Sequence, residues 1–208
     1  MIENILSGCR VVDLTQNVAG PFCTQVLGDF GADVIKVERT RGDDDTRALL
    51  PPSIGDQASI FLALNRNKRS ICLDLDSAEG VRVMHKLVAS ADIVIQSFKP
   101  GSAEARRLGL GDLKQSRPDL IYCTISAFGE KGSLHSMPGY DPLMQAFTGI
   151  MSVTGNPEDD PMRVPVSLID MGTGPWAALG IVGAVLHRIR TGEGMLVGAS
   201  SWTPACPG

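Results

Sequence analysis

The 208-residue sequence has no pair of cysteines in CxxC spacing and no histidine at ligand distance from one, which excludes the common zinc and disulfide frameworks. Its five cysteines (Cys9, Cys23, Cys72, Cys123, Cys206) stand apart, and Cys72 and Cys123 fall in apolar runs where a thiol behaves as a small hydrophobe. The opening Met1-Ile2-Glu3-Asn4 lacks the basic and apolar regions of a signal peptide. No run approaches the roughly 20 apolar residues of a membrane span. These absences set the expectation of a cytoplasmic chain without a membrane partner. A formal net charge of -4 supplies no basic field to gather nucleic acid. Neither a GxGxxG turn nor a GxxxxGK[ST] loop occurs, so the standard dinucleotide and P-loop grips are missing. His85, His135 and His187 accompany no GxSxG nucleophile, which leaves a hydrolase triad unsupported.

What is present has the balance of a globular protein, 43% hydrophobic and 20% charged, enough for a full core. Strand-like runs at residues 10–14, 33–38, 70–75, 91–96 and 120–126 alternate with helical patterns at 21–30, from 58 and from 77, where Ser77 is placed as an N-cap. This order predicts an α/β fold, a Rossmann-like parallel sheet with flanking helices. Residues 39–56 are too charged and too rich in Pro and Gly for a regular element. Two further helices are expected at 141–152 and 172–191. The segment from 198 onward follows neither period and reads as an unstructured tail. Ligands of such sheets bind beyond the carboxyl ends of the strands. Segments 15–20, 39–45, 97–101 and 127–139 therefore form the expected rim.

Arg39, Arg41, Lys68, Arg69, Lys99, Arg106 and Arg107 fall at strand ends or loop edges. Such a set suits a ligand with several phosphates. The turn Ala19-Gly20-Pro21 could aim amides at an anion, although a tight strand-to-helix turn explains it better. Asp170 follows an apolar run and precedes Met171-Gly172-Thr173-Gly174. It reads equally as a helix cap or as a carboxylate nucleophile, with the two glycines leaving room for a bulky partner.

Several ordered motifs resemble the class III CoA-transferase family. They are the run from Leu6 to Thr15 (LSGCRVVDLT), Ala19-Gly20-Pro21, the run from Gly31 to Glu38 (GADVIKVE), Asn65-Arg66-Asn67-Lys68-Arg69-Ser70, Phe98-Lys99-Pro100-Gly101, Gly139-Tyr140-Asp141 and Asp170-Met171-Gly172-Thr173-Gly174. The resemblance implies that Asp170 attacks an acyl-CoA, and that a mixed anhydride and then an aspartyl-CoA thioester relay CoA to a small carboxylic acid. It further implies that Arg39 and Arg107 meet the CoA phosphates and that Asn17, Val18 and Ala19 line the CoA channel. Lys68, Ser97 and Phe98 would bracket the adenine or pantetheine, and Tyr140 would stand near the reacting centre. CoA is then a substrate, and no permanently bound cofactor or metal is implied. A racemase branch of the same fold carries His where this chain has Tyr140, which favours transfer. The family implies a homodimer and chains about twice as long. Residues 1–194 are thus expected to be the N-terminal part of a large CoA-binding domain, and 195–208 a divergent, disordered tail of a truncated chain. A non-catalytic CoA-binding fragment is the alternative.

Overall fold

The computed structural model describes residues 4–40 and 44–202. The elements, in order, are β1 (Arg10–Leu14), α1 (Ala19–Asp29), β2 (Asp33–Glu38), a two-stranded ribbon of β3 (Ser53–Ile54) and β4 (Gln57–Ala58), α2 (Ser59–Leu64), β5 (Lys68–Cys72), α3 (Ala78–Val88), β6 (Ile93–Gln96), α4 (Ser102–Ala105), α5 (Leu110–Leu113), β7 (Ile121–Ser126), α6 (Asp141–Phe147), α7 (Leu168–Thr191) and β8 (Leu196–Ser200). Short 3-10 turns lie at Asp45–Ala48 and Ile150–Val153.

Six strands make one sheet in the order β5-β2-β1-β6-β7-β8, every pair parallel. Without the ribbon, that is the doubly wound order 3-2-1-4-5-6. The central strands read as continuous Val and Ile runs because both faces are covered. On β1, Val11 packs beneath α1 and α7 together with Ile93, Ile121 and Ile181, while Val12 faces Met84, Val88, Val94 and Leu120 on the other side. The expected fold class and all five strand runs are present, with β5 beginning two residues early because Lys68 pairs with Val34. Ser77 caps α3 through its Oγ, which accepts from the Gly80 amide at 3.0 Å.

Three expectations need correction. The segment from 195 is not structureless: Leu196–Ser200 extends the sheet beside β7, and Trp202 packs with Phe128 and Phe147. Small side chains fit this half-exposed edge strand, and they hid its period; the rest of the expected tail, 203–208, lies outside the described residues. Second, α7 starts four residues before the expected 172, so Asp170 lies inside its first turn. Third, α7 has 24 residues and a stretch of mean hydropathy 1.3, long and apolar enough to cross a membrane. Here it is a core helix: Ala177, Ala178, Ile181, Ala184 and Val185 pack into the layer beneath α1. Its outer face still exposes Leu168, Met171, Trp176, Leu179, Leu186 and Ile189.

Candidate active site

The strand order reverses between β1 and β6, and the chain leaves their carboxyl ends in opposite directions. After β1, Thr15 turns sharply into α1. A β-carbon on Gly20 would overlap the Thr15 side chain, so this glycine serves the tight turn. Asn17 holds a left-handed φ of 66°, and its amide donates to Asp44 Oδ1 at 3.2 Å. The other Asp44 oxygen meets Lys36 Nζ at 2.8 Å, and Lys36 also donates to the Thr15 carbonyl at 2.9 Å. A buried ion pair thus ties the loop after β1 to the loop after β2. After β6, the Phe98 amide donates to Gln96 Oε1, and the Arg106 guanidinium lies 6.0 Å from the Phe98 ring centre.

The amino end of α7 meets this crevice through α1. A β-carbon on Gly174 would stand 2.8 Å from the Ala19 carbonyl oxygen and 3.1 Å from Phe22 Cβ. Of the two glycines expected to leave room for a bulky partner, Gly174 is instead spent on helix packing. Asp170 is not the cap of α7 either. Ser167 holds the N-cap position without a side-chain bond, and the Ile169 and Asp170 amides donate to Asp141 Oδ1 at 2.7 and 3.2 Å. The Asp170 carboxylate accepts no hydrogen bond from the described residues. Burial, and after it the negative charge of Asp141, push its pKa up to about 6. A half-buried carboxylate with no donor of its own and raised basicity is equipped to attack a carbonyl.

Residues 6–206 match the model of CoA-transferase family III. The chain belongs to that family. It is 40% identical over 192 residues to succinyl-CoA:glutarate CoA-transferase of Mus musculus, covering 92% of this chain and 44% of that protein. It is 42% identical over 195 residues to succinate–glutarate CoA-transferase of Agrobacterium fabrum, covering 91% of this chain and 49% of the relative. A crystal structure of a CAIB/BAIF family protein from Brucella suis superposes with a TM-score of 0.93 at 39% identity, over 98% of this chain and 55% of the other. The chain spans about half the length of the curated relatives it matches.

Within this family III framework the expected site residues divide. Asn17, Val18 and Ala19 border one side of the switch point and Ser97 and Phe98 the other. Val18 and Ala19 are each 8% exposed, so each offers little surface to a ligand. Tyr140 is exposed beside the buried Asp141, at the corner that holds Asp170. Arg39 is exposed just after β2 and pairs with Asp45 at 3.0 Å. Arg107 lies on an exposed turn with φ 56°, its carbonyl 2.9 Å from His85 Nε2. Lys68 contradicts its expected role. Its ammonium is buried and its three protons go to Asp13, the Pro21 carbonyl and Asn65, so it cannot bracket CoA while this network stands. Arg69 bonds Asp33 at the opposite, amino end of the sheet, which removes it from the rim. Arg106 faces Asp76 and Ser102, and Arg41 lies outside the described residues. Two buried acids beside these loops were named only within motifs or strands. Asp141 is one, and Asp13, buried between Thr15, Thr24 and Lys68, is the other. An acid inside the apolar run of β1 was the signal for Asp13.

Proposed function

We propose that this chain carries the CoA-binding part and the nucleophile of an acyl-CoA:carboxylate CoA-transferase, with dicarboxylates of the succinate and glutarate kind as exchange partners. The observation that carries the reading is the Asp170 carboxylate, half-buried and without a hydrogen-bond donor at the amino end of α7. In the proposed sequence Asp170 attacks the thioester carbonyl, the C–S bond breaks, and CoA leaves as thiolate. The thiolate then attacks the aspartyl carbonyl of the mixed anhydride and frees the donor acid. The acceptor carboxylate attacks the aspartyl-CoA thioester, and returning CoA thiolate takes the new acyl group and restores Asp170. Thioester and anhydride exchange need no redox step, and a covalent relay divides one hard transfer into easier ones. The Ala19 and Gly20 amides at the start of α1 have no acceptor within their helix and suit the developing oxyanion.

Arg39 and Arg107 are the proposed phosphate contacts, with Asn17, Val18, Ala19, Ser97 and Phe98 along the CoA path and Tyr140 beside the acyl group. A homodimer belongs to the same proposal, supported by the exposed apolar face of α7. A cytoplasmic setting is supported by the free thiols of Cys9, Cys23, Cys72 and Cys123. The half-length match favours a second reading, a fragment that binds CoA without turnover. Incubation with succinyl-CoA and hydroxylamine separates them. Transfer predicts a hydroxamate on Asp170, lost in Asp170→Ala, whereas a binding fragment gives CoA affinity by calorimetry and no label. A label that persists in Asp170→Ala would refute the assignment of the nucleophile.

A further inference from the structure

Helix α7 begins without a cap of its own. Its N-cap, Ser167, makes no side-chain bond, yet the amides that an N-cap would serve, those of Ile169 and Asp170, are both satisfied by one oxygen of Asp141. Asp141 is the first residue of α6 and is 4% exposed. Its second oxygen accepts from Gln145 Nε2 at 2.5 Å. Gln145 is itself fixed, because its Oε1 accepts from the Val164 amide at 2.8 Å and its Nε2 also reaches the Val164 and Val166 carbonyls at 3.3 Å. The chain leading into α7, the first turn of α7 and the start of α6 are thus bolted together through one carboxylate.

We propose that Asp141 is a positioning residue for Asp170, acting as the cap of α7 from another helix and setting its own charge beside the Asp170 carboxylate. The inference rests on the proposal that Asp170 is the nucleophile. Among the described residues three N–H groups meet the Asp141 carboxylate and none meets that of Asp170. The arrangement therefore divides two neighbouring acids into a fixed charge and a basic, reactive one. Other charges stand aside. Helix α1 has no acid or base before Asp29 at its far end, and α7 has none between Asp170 and His187. Glu130, Lys131 and His135 on one flanking loop and Glu158, Asp159, Asp160 and Arg163 on the other do not contribute to the raised basicity of Asp170.

NMR of the full chain tests this directly. Asp141→Asn keeps an acceptor but loses the charge, and the Asp170 titration midpoint should fall by about one pH unit. Asp141→Ala removes the cap, and exchange of the Ile169 and Asp170 amides should accelerate about tenfold, while that of Ala178 stays as in the parent. An unchanged midpoint in Asp141→Asn, or unchanged exchange in Asp141→Ala, overturns the inference. Should neither variant fold, the parent decides: its Ile169 and Asp170 amides must be protected from exchange, and free-peptide rates there would refute the cap. None of these readouts needs turnover, so they fail independently of the Asp170→Ala labelling experiment.

Discussion

At neutral pH Asp170 carries a charge that its surroundings disfavour. Its folded pKa of about 6 lies above the usual 3.8, so folding favours the protonated acid. That contribution to stability is complete below about pH 3.8 and is lost as pH rises through 6. Asp170→Asn is therefore expected to be more stable than the parent at pH 7, by on the order of 1–3 kcal/mol, and to lose that advantage near pH 4. Urea unfolding at the two pH values measures it, and equal stability at pH 7 would contradict burial as the cause of the shift. For the proposed nucleophile, a site that costs stability would be a common compromise. Asp13 shows the opposite balance. Burial would raise its pKa, but Lys68, then Lys36 and the Thr15 and Thr24 hydroxyls, outweigh burial and hold it at about 2. Two acids of one sheet end are thus tuned in opposite directions, one by partners and the other by their absence.

Among the elements, α7 depends on how closely it approaches α1. A methyl group at Gly174 would have to push against the Ala19 backbone, which cannot yield as a side-chain end would. Gly174→Ala is expected to cost about 1–3 kcal/mol of stability, readable in the thermal midpoint, although alanine favours helix elsewhere. A stabilised variant would mean that the two helices can separate without loss. This contact also marks the limit of sequence reading. The buried strands were legible because Val- and Ile-rich runs follow from two covered faces, and Ser77 was legible because its bond spans three residues. The start of α7 was not, since the helical pattern was read only from 172 while the cap comes from Asp141, across 28 residues of chain. The burial of Lys68 was equally hidden, because Lys68 and Asp13 are distant in sequence and meet only once β5 joins the sheet. Motif resemblance singled out Asp170 as a candidate; it did not say which neighbour holds its helix turn.

The molecule as a whole is covered unevenly. Both faces of the sheet are packed, yet Trp176, Leu179, Leu186 and Ile189 form an exposed apolar stripe along α7, and Ile189 is 75% exposed. Patches of this kind mark contact surfaces in soluble proteins. The parent is expected to associate as concentration rises, and the double variant Leu179→Lys, Ile189→Lys to remain monomeric, as sedimentation velocity would resolve. Parent chains that stay monomeric throughout would remove the α7 face as a contact. The topology has a further consequence during synthesis. β7 acquires its outer neighbour β8 only after α6 and all of α7 have been made. Until then β7 is an edge strand, as β5 is at the other side of the sheet, and parallel pairing over such a separation is slow. Slower translation through α7 is expected to lengthen the time in which nascent copies can pair through the uncovered β7, and so to lower the soluble yield.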